Sequence, residues 1–578
     1  MGGIMKVDLT KKPYFLTEEQ IQWVKQTIAS MTLEEKLQQL FFGLTSSFEE
    51  NSLKEYIRTC KCGGIRYNPA RPEVVAHHNL TLQKESEIPL FIAANTESGG
   101  NGAFVTGTEV GCETKVASTG DIHLAYGLGK VSAREAKSVG CNVLFAPIVD
   151  IDYEFHNPII ATRTFGNDPE MVKEYSLAFL EAAKEEGVIA CVKHFPGDGI
   201  DERDQHLSLT ANTLSKEEWD KSYGAVYRSV IDSGVEMIMV GHIALPCYQK
   251  KMLPATVSKE LLTDLLREKL SFQGLIISDA THMVGLTACM KRSEFLPLMI
   301  QAGIDMILFY NDYEEDLNYL KKGYEKGIIK EKRLEDALLR IIGLKAKLNL
   351  HKKKEFTFAP ELIHQEESLK YQDEVARKGI VLVKEEKGVL PLSKEKYKRI
   401  LLVPQHSDNP FESILPKQGP SIYETLQEKL VQEGFEVEIF ESLMEKAKKL
   451  PPQEAMKIVM NIYNNKTPIK ALTDRYDLVI HVMDYDTHNT VNRVSWQMSK
   501  GTPDIPWYVN ELPTIMISLK NPFHLFDAPM IKTYINCYDK NQKTISHLIE
   551  KLVGREDFVG TSPVDCFCNC RILKRKES

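Results

Sequence analysis

Two short segments of this 578-residue chain combine residue types that perform nucleophilic and proton-transfer chemistry. One runs Lys193-His194-Phe195-Pro196-Gly197-Asp198-Gly199 and continues, after a short gap, to Asp204-Gln205-His206. The other is Ile276-Ile277-Ser278-Asp279-Ala280, with Met283 four residues past the aspartate. A carboxylate that ends an apolar run, as Asp279 does, is held rigidly and suits a nucleophile. It suits the N-cap of a following helix equally well. An imidazole with a carboxylate two residues before it, His206 with Asp204, suits proton transfer near neutral pH. Histidine titrates near about 6.5, and an adjacent carboxylate favours its protonated form. The same pair can also be an ordinary solvated loop pair.

These residues need a frame that brings them together. The first 350 residues alternate short apolar runs with longer amphipathic stretches, the rhythm of βα units around a parallel sheet. The runs fall at 39–44, 62–67, 90–94, 142–149, 188–193, 235–240, 275–278 and 304–310. Eight strands with helices between them predict an α/β fold, a (β/α)8 TIM-type barrel over residues 1–350. Glycines at the strand entries (Gly63, Gly64, Gly187, Gly234, Gly274 and Gly303) suit helix-ending turns at positive φ. Thr32 with Glu35, and Ser215 with Glu218, have capping-box spacing. A barrel presents its reactive groups at the carboxyl ends of its strands. There the sequence puts Asn95 and Glu97, then Asp150 and Asp152, Lys193 and His194, Gly241 and His242, Asp279, and Asn311 and Asp312.

Past residue 350 the texture changes. Three lysines, Lys352, Lys353 and Lys354, open a polar linker over 351–375. A helix near 367–379 follows, then runs at 380–383, 399–403, 436–440, 478–483, 514–518 and 531–537. They predict a smaller, sandwich-like α/β domain over 376–578 with a mostly parallel sheet. The strand at 399–403 leads into Val403-Pro404-Gln405-His406 and no G-x-G-x-x-G, so a nucleotide role has no support.

A net charge of −8 argues against a nucleic-acid partner, and Lys574, Arg575 and Lys576 read as a solvated end. Eleven scattered cysteines do not make a disulfide framework. Residues 1–10 lack an apolar signal segment and no run of about 18 apolar residues occurs, so neither export nor a membrane partner is expected, and the cytoplasm is the default address. Cys566, Cys568 and Cys570 are spaced C-x-C-x-C, but no second cluster completes four zinc ligands. Like Cys60 and Cys62, they read as plain buried thiols. No metal and no cofactor is expected.

Both reactive segments resemble glycoside hydrolase family 3, and within it the β-N-acetylglucosaminidase branch of the peptidoglycan-recycling type. That branch typically reads K-H-F-P-G-H-G, then D-x-H, then S-D-x-x-x-M. Asn157-Pro158-Ile159-Ile160, Arg163-Thr164-Phe165-Gly166 and Asp168-Pro169-Glu170 are similar to the same family. Asn95-Thr96-Glu97-Ser98-Gly99-Gly100 is similar in part. Lys378-Gly379-Ile380-Val381-Leu382-Val383-Lys384 with Leu390-Pro391-Leu392 resembles the family's second-domain entry, so the resemblance covers nearly the whole chain. The D-x-H element is its most specific part.

The resemblance implies a retaining exo-acting glycosidase that releases terminal β-linked N-acetylglucosamine from muropeptides or short oligosaccharides. Asp279 would be the nucleophile, and Asp204 with His206 the acid/base dyad. Lys193, His194, Arg163, Asn95 and Glu97 would bind the sugar. His242 either joins them or is merely packed. Two departures stand out. Asn95 replaces the usual Asp and cannot offer a carboxylate, which opens the choice between gluco and galacto sugars. Asp198 replaces the second His of K-H-F-P-G-H-G and reads as a turn residue, with an extra acid near the pocket as the alternative. A neutral histidine base would also admit an anionic acceptor, so phosphorolysis is an alternative. A carbohydrate-binding protein without catalysis is another. The expected partner is a carbohydrate substrate, and the chain is expected to be a monomer or homodimer.

Overall fold

The computed structural model describes residues 7–352, 355–406, 420–464, 468–485, 493–494, 496 and 503–570. Residues 1–6, Lys353, Lys354 and the basic tail Lys574, Arg575 and Lys576 lie outside them.

The first ten strands are β1 Phe41–Thr45, β2 Gly64–Tyr67, β3 Phe91–Ala94, β4 Val143–Leu144, β5 Ile189–Phe195, β6 Thr210–Ala211, β7 Met237–Val240, β8 Ile243–Ala244, β9 Leu275–Ala280 and β10 Met306–Leu308. Eight of them close a barrel in the order β1-β10-β9-β7-β5-β4-β3-β2. Its pairings are parallel, and Phe42 beside Leu308 closes the ring. The barrel strands are almost continuously apolar because both faces are covered, by the packed interior and by the outer helices. All seven residues of β5 are buried.

Helix starts are written in the chain as expected. Thr32 and Ser215 form capping boxes with Glu35 and Glu218. Asp168 caps the helix Pro169–Glu185, whose first-turn proline has no N–H to leave unpaired. Gly187, Gly234 and Gly303 take positive φ before their strands. Gly63, Gly64 and Gly274 do not, which corrects the turn reading. They are packing glycines: a Cβ on Gly63 would lie 2.2 Å from the carbonyl oxygen of Gln39, and one on Gly274 2.3 Å from that of Glu236.

At the amino ends of the strands sits a buried charge cluster. Asp305 is fully buried and accepts from Arg267 at 2.6 Å, Arg333 at 2.5 Å and the N–H of Ile276 at 2.7 Å. It joins the start of β9 to helix Glu331–Lys347 and serves the scaffold. At the opposite rim, β6 pairs with β8 in a two-stranded ribbon. The loop between β5 and β6 carries Asp204 and His206, so this ribbon anchors its far end.

A second compact unit comprises residues 114–120 and 373–578. Its strands are β11 Val381–Lys384, β12 Arg399–His406, β13 Glu436–Ile439, β14 Leu478–Asp484, β15 Thr514–Ser518 and β16 Thr533–Asn536. The order is β11-β16-β15-β14-β12-β13, parallel except for the antiparallel β11–β16 pair. Ile400, Ile480, Ile517 and Ile535 build the core on one face, and Met483, Met516 and Tyr534 on the other. The segment 114–120 is bound into this unit by Lys115, which is fully buried and donates to Asp539 at 2.7 Å. Cys566 and Cys568 are buried in the same unit and Cys570 is half-buried, all as free thiols.

Candidate active site

Asp279 ends β9, where the strand is fixed from several sides. Ser278 Oγ donates to the Asp279 carbonyl at 2.8 Å and accepts from the N–H of Leu308 on β10 at 3.0 Å. One carboxylate oxygen of Asp279 accepts from the N–H of Ala280 at 2.7 Å. Burial pushes this carboxyl up, but His194, His242, the Ala280 N–H and His206 outweigh it and hold the pKa below the ordinary 3.8. A rigid carboxylate that stays ionised is poised for attack on an electrophilic carbon.

His242 lies in the packed interior, as the second of its two readings has it. It is fully buried, and both ring nitrogens are engaged: Nε2 with the Ala280 carbonyl at 3.0 Å and Nδ1 with Thr256 Oγ1 at 2.9 Å. A carbonyl only accepts, so Nε2 carries the proton and Nδ1 receives the threonine hydroxyl. Burial lowers the pKa of this ring, and its bond to the Ala280 carbonyl braces the end of β9.

His206 and Asp204 form the dyad that their spacing suggests. His206 Nδ1 lies 2.7 Å from Asp204 Oδ1, and the His206 N–H donates to the same oxygen at 2.7 Å. The carboxylate side chain is 5% exposed and the imidazole 48%. The Asp204 hydrogen bond, against burial and with the Asp204 and Asp279 charges, raises the pKa of His206 above 6.5. The loop is tied to the chain beyond Asp279: Val284 donates its N–H to the His206 carbonyl at 2.9 Å, and Gly285 to that of Gln205 at 3.2 Å. The two sequence segments are thereby joined through backbone. Gly285 is required for this approach, since a Cβ there would lie 2.6 Å from the Gln205 carbonyl oxygen.

Arg163, Glu97 and Lys193 meet in one cluster. Arg163 grips Glu97 with two N–H groups, both at 2.9 Å, and Lys193 Nζ donates to the same carboxylate at 2.6 Å. Burial would raise the Glu97 pKa, but the two cations override it and hold it well below 4.5. His194 sits beside Lys193 with Nδ1 at 2.7 Å from Asp150, a fully buried carboxylate. Asn95 is exposed just past β3. Asp312 is used as a cap, accepting from the N–H of Glu315 at 2.8 Å.

Two features escaped the sequence. Asp198 is 3% exposed and binds Asn157, Gly199 and Gln205, so it is a buried hub and not a surface turn residue. His282 is exposed and stacks on Phe309 with ring centroids 6.4 Å apart, and Asp279 and His206 are among the charges that act on it. Its position three residues past Asp279 was the one available signal. Among the described residues no group of three or more His, Cys, Asp or Glu is placed to hold a metal. Nor is any helix among them long and apolar enough to cross a membrane.

The closed parallel barrel carries an ionised carboxylate at the end of β9, an Asp–His pair and a cation–carboxylate cluster, an arrangement suited to a glycosidase of the barrel type. The family model described as "Glycosyl hydrolase family 3 N terminal domain" matches residues 32–344, and the chain belongs to that family. It is 38% identical to a "Beta-N-acetylglucosaminidase/beta-glucosidase" of Cellulomonas fimi, over 97% of this chain and 99% of the relative. A solved structure titled "Beta-glucoside phosphorylase BglX bound to 2FGlc" superposes with a TM-score of 0.88 at 37% identity, covering 97% of this chain and 99% of that one. A family 3 β-N-acetylglucosaminidase from Paenibacillus sp. str. FPU-7 superposes with a TM-score of 0.77 at 25% identity, covering 93% and 99%.

Proposed function

We propose that the protein removes the terminal sugar of β-linked N-acetylglucosaminides, and of β-glucosides, by double displacement with net retention. In the first step the Asp279 carboxylate attacks the anomeric carbon, and the bond to the aglycone oxygen breaks. The proton on His206 Nε2 passes to that oxygen, leaving a glycosyl ester on Asp279 and a neutral imidazole. In the second step water attacks the anomeric carbon and gives its proton to Nε2, and the ester bond breaks to restore the carboxylate. Asp204 fixes which nitrogen does this work: its oxygen accepts from Nδ1, so Nε2 is the exchanging atom. Lys193, Arg163 and His194 offer donors to the sugar hydroxyls, with Glu97 holding the first two in place. Asn95 reads the nonreducing end. Muropeptides or short oligosaccharides are the natural donors on this reading, and the relatives named as β-hexosaminidases support the acetamido sugar.

The observation that carries the reading is the 2.7 Å bond between the His206 ring and Asp204, on a loop tied by backbone to the chain just past Asp279. It is tested by p-nitrophenol release from the β-N-acetylglucosaminide, the β-N-acetylgalactosaminide and the β-glucoside, with Asp279→Asn alongside. Cleavage of the acetamido and gluco donors, lost in the variant, supports it. Equal rates for variant and wild type overturn it.

A second reading is favoured by the exposed, uncharged base of the second step. A neutral imidazole does not repel phosphate, where a carboxylate base would, and a 37%-identical relative bears the name of a phosphorylase. Phosphate oxygen would then attack in place of water and yield the sugar 1-phosphate. Turnover that rises with phosphate and gives this product selects phosphorolysis. Free sugar at a phosphate-independent rate selects hydrolysis.

A further inference from the structure

The middle residue of Asp204-Gln205-His206 does not face solvent with its neighbour. Gln205 is 1% exposed, and its amide is gripped at both ends. Oε1 accepts from the N–H of His242 at 3.1 Å, and Nε2 donates to Asp198 Oδ2 at 3.0 Å. The other oxygen of Asp198 accepts from Asn157 Nδ2 at 2.9 Å and from the N–H of Gly199 at 2.7 Å. Asp198 also donates its own N–H to Asp150, at 2.8 Å. That same Asp150 holds the His194 ring at 2.7 Å. One side chain therefore bolts the loop to the ends of both β5 and β7, and through Asp198 to the support of a sugar-binding histidine.

We infer that Asp198 and Gln205 are a pair of positioning residues that clamp the acid/base loop so that His206 stands over the reacting bond. The direction of the bonds makes the pair specific. The His242 group is a backbone N–H and can only donate, so Oε1 must face it and the amide NH2 must face residue 198. Residue 198 must then accept on both sides, from the glutamine on one and from Asn157 and Gly199 on the other. A carboxylate does this. An asparagine, a histidine or a serine presents a hydrogen to at least one donor or leaves it unpaired. The clamp acts on placement and not on the proton itself, and misplacement of a catalytic group by about 1 Å costs on the order of a hundredfold.

This inference rests on His206 as the acid, and the test separates the two. Gln205→Glu is isosteric but turns a donor into an oxygen facing Asp198. Gln205→Leu removes both bonds, and Asp198→Asn breaks the clamp from its other side. Each is assayed beside wild type and His206→Ala on aryl β-glycosides that span good to poor leaving groups, with Tm recorded. Poor leaving groups need the acid and good ones do not. The clamp predicts that each variant loses kcat/KM on the poorest leaving group at least about tenfold more than on the best, with KM little changed. Gln205→Glu should recover as pH falls, because a proton shared between the two carboxyls restores the bond. An equal loss across the series, or wild-type behaviour of Gln205→Glu at neutral pH, overturns the clamp. If His206→Ala itself shows no leaving-group dependence, the role of His206 fails and the clamp fails with it.

Discussion

His206 Nδ1 and Asp204 Oδ1 lie 2.7 Å apart, and that single carboxylate oxygen also takes the His206 backbone N–H at the same distance. The carboxylate thus fixes both the ring and the main chain beneath it. Its effect on protonation has a definite sign. The Asp204 bond raises the His206 pKa above 6.5, so the acid form persists to higher pH than in a free histidine. The alkaline limb of kcat/KM for poor leaving groups should lie above pH 6.5, and Asp204→Asn should shift it to lower pH and cut the plateau about a hundredfold. The check is a pH–rate profile of both proteins. A limb that stays in place in the variant contradicts this account of the dyad.

His206→Ala should be slow mainly where proton donation matters. On a p-nitrophenyl donor the first step survives and the glycosyl ester accumulates, so a burst of nitrophenol should precede a slow steady state. Azide, a small anion that needs no base, should restore turnover and produce the glycosyl azide. Stopped-flow absorbance and product analysis read both effects.

Glu97 is the counterion of the buried Lys193 and the half-buried Arg163, and Gln cannot replace its charge. Glu97→Gln should lower stability at neutral pH by about 3 kcal/mol, the scale of an uncompensated buried charge, and raise KM by displacing Lys193. Its pKa in the folded chain is depressed. The stability it contributes is therefore fully present above the unfolded value of 4.5 and is lost as pH falls through the folded value. Urea unfolding from neutral to acid pH should show wild type losing stability in that window and the variant changing less.

Asp305 makes a contrasting case at the other end of the barrel. Asp305→Ala takes the carboxylate partner from Arg267 and one of two from Arg333, both nearly buried. A loss of about 3–5 kcal/mol in urea unfolding is expected, with kcat per folded molecule unchanged. A fall in kcat without a fall in stability would place Asp305 in the catalytic machinery.

The eight barrel strands were legible because each is a short apolar run covered on both faces, and such runs write themselves into composition at the right spacing. β5 reads as residues 188–193 and forms as Ile189–Phe195. Capping boxes at Thr32 and Ser215 were legible for a similar reason, since a cap is a contact between near neighbours. What stayed hidden depends on distant partners. The segment 114–120 joins the second unit through Lys115 and Asp539, more than four hundred residues apart, and nothing local marks it. β6 and β8 are two residues long each, too short for any periodicity. Asp198 looks like a turn residue between two glycines, and only its buried contacts with Gln205 and Asn157 show otherwise. His242 looked available because it follows a strand, yet its two partners, Thr256 and the Ala280 carbonyl, turn it inward.

The central claim is a covalent bond between sugar and Asp279, and it can be seen directly. A glucosyl fluoride carrying a second fluorine on the carbon next to the anomeric centre should form the ester quickly and release it slowly. Digestion and tandem mass spectrometry of the inactivated protein should find one glycosyl mass on the peptide containing Ser278-Asp279-Ala280, with fragment ions placing it on Asp279. Modification of Asp204, Glu97 or another carboxylate instead, or rapid turnover of the reagent with no trapped ester, would contradict the assignment.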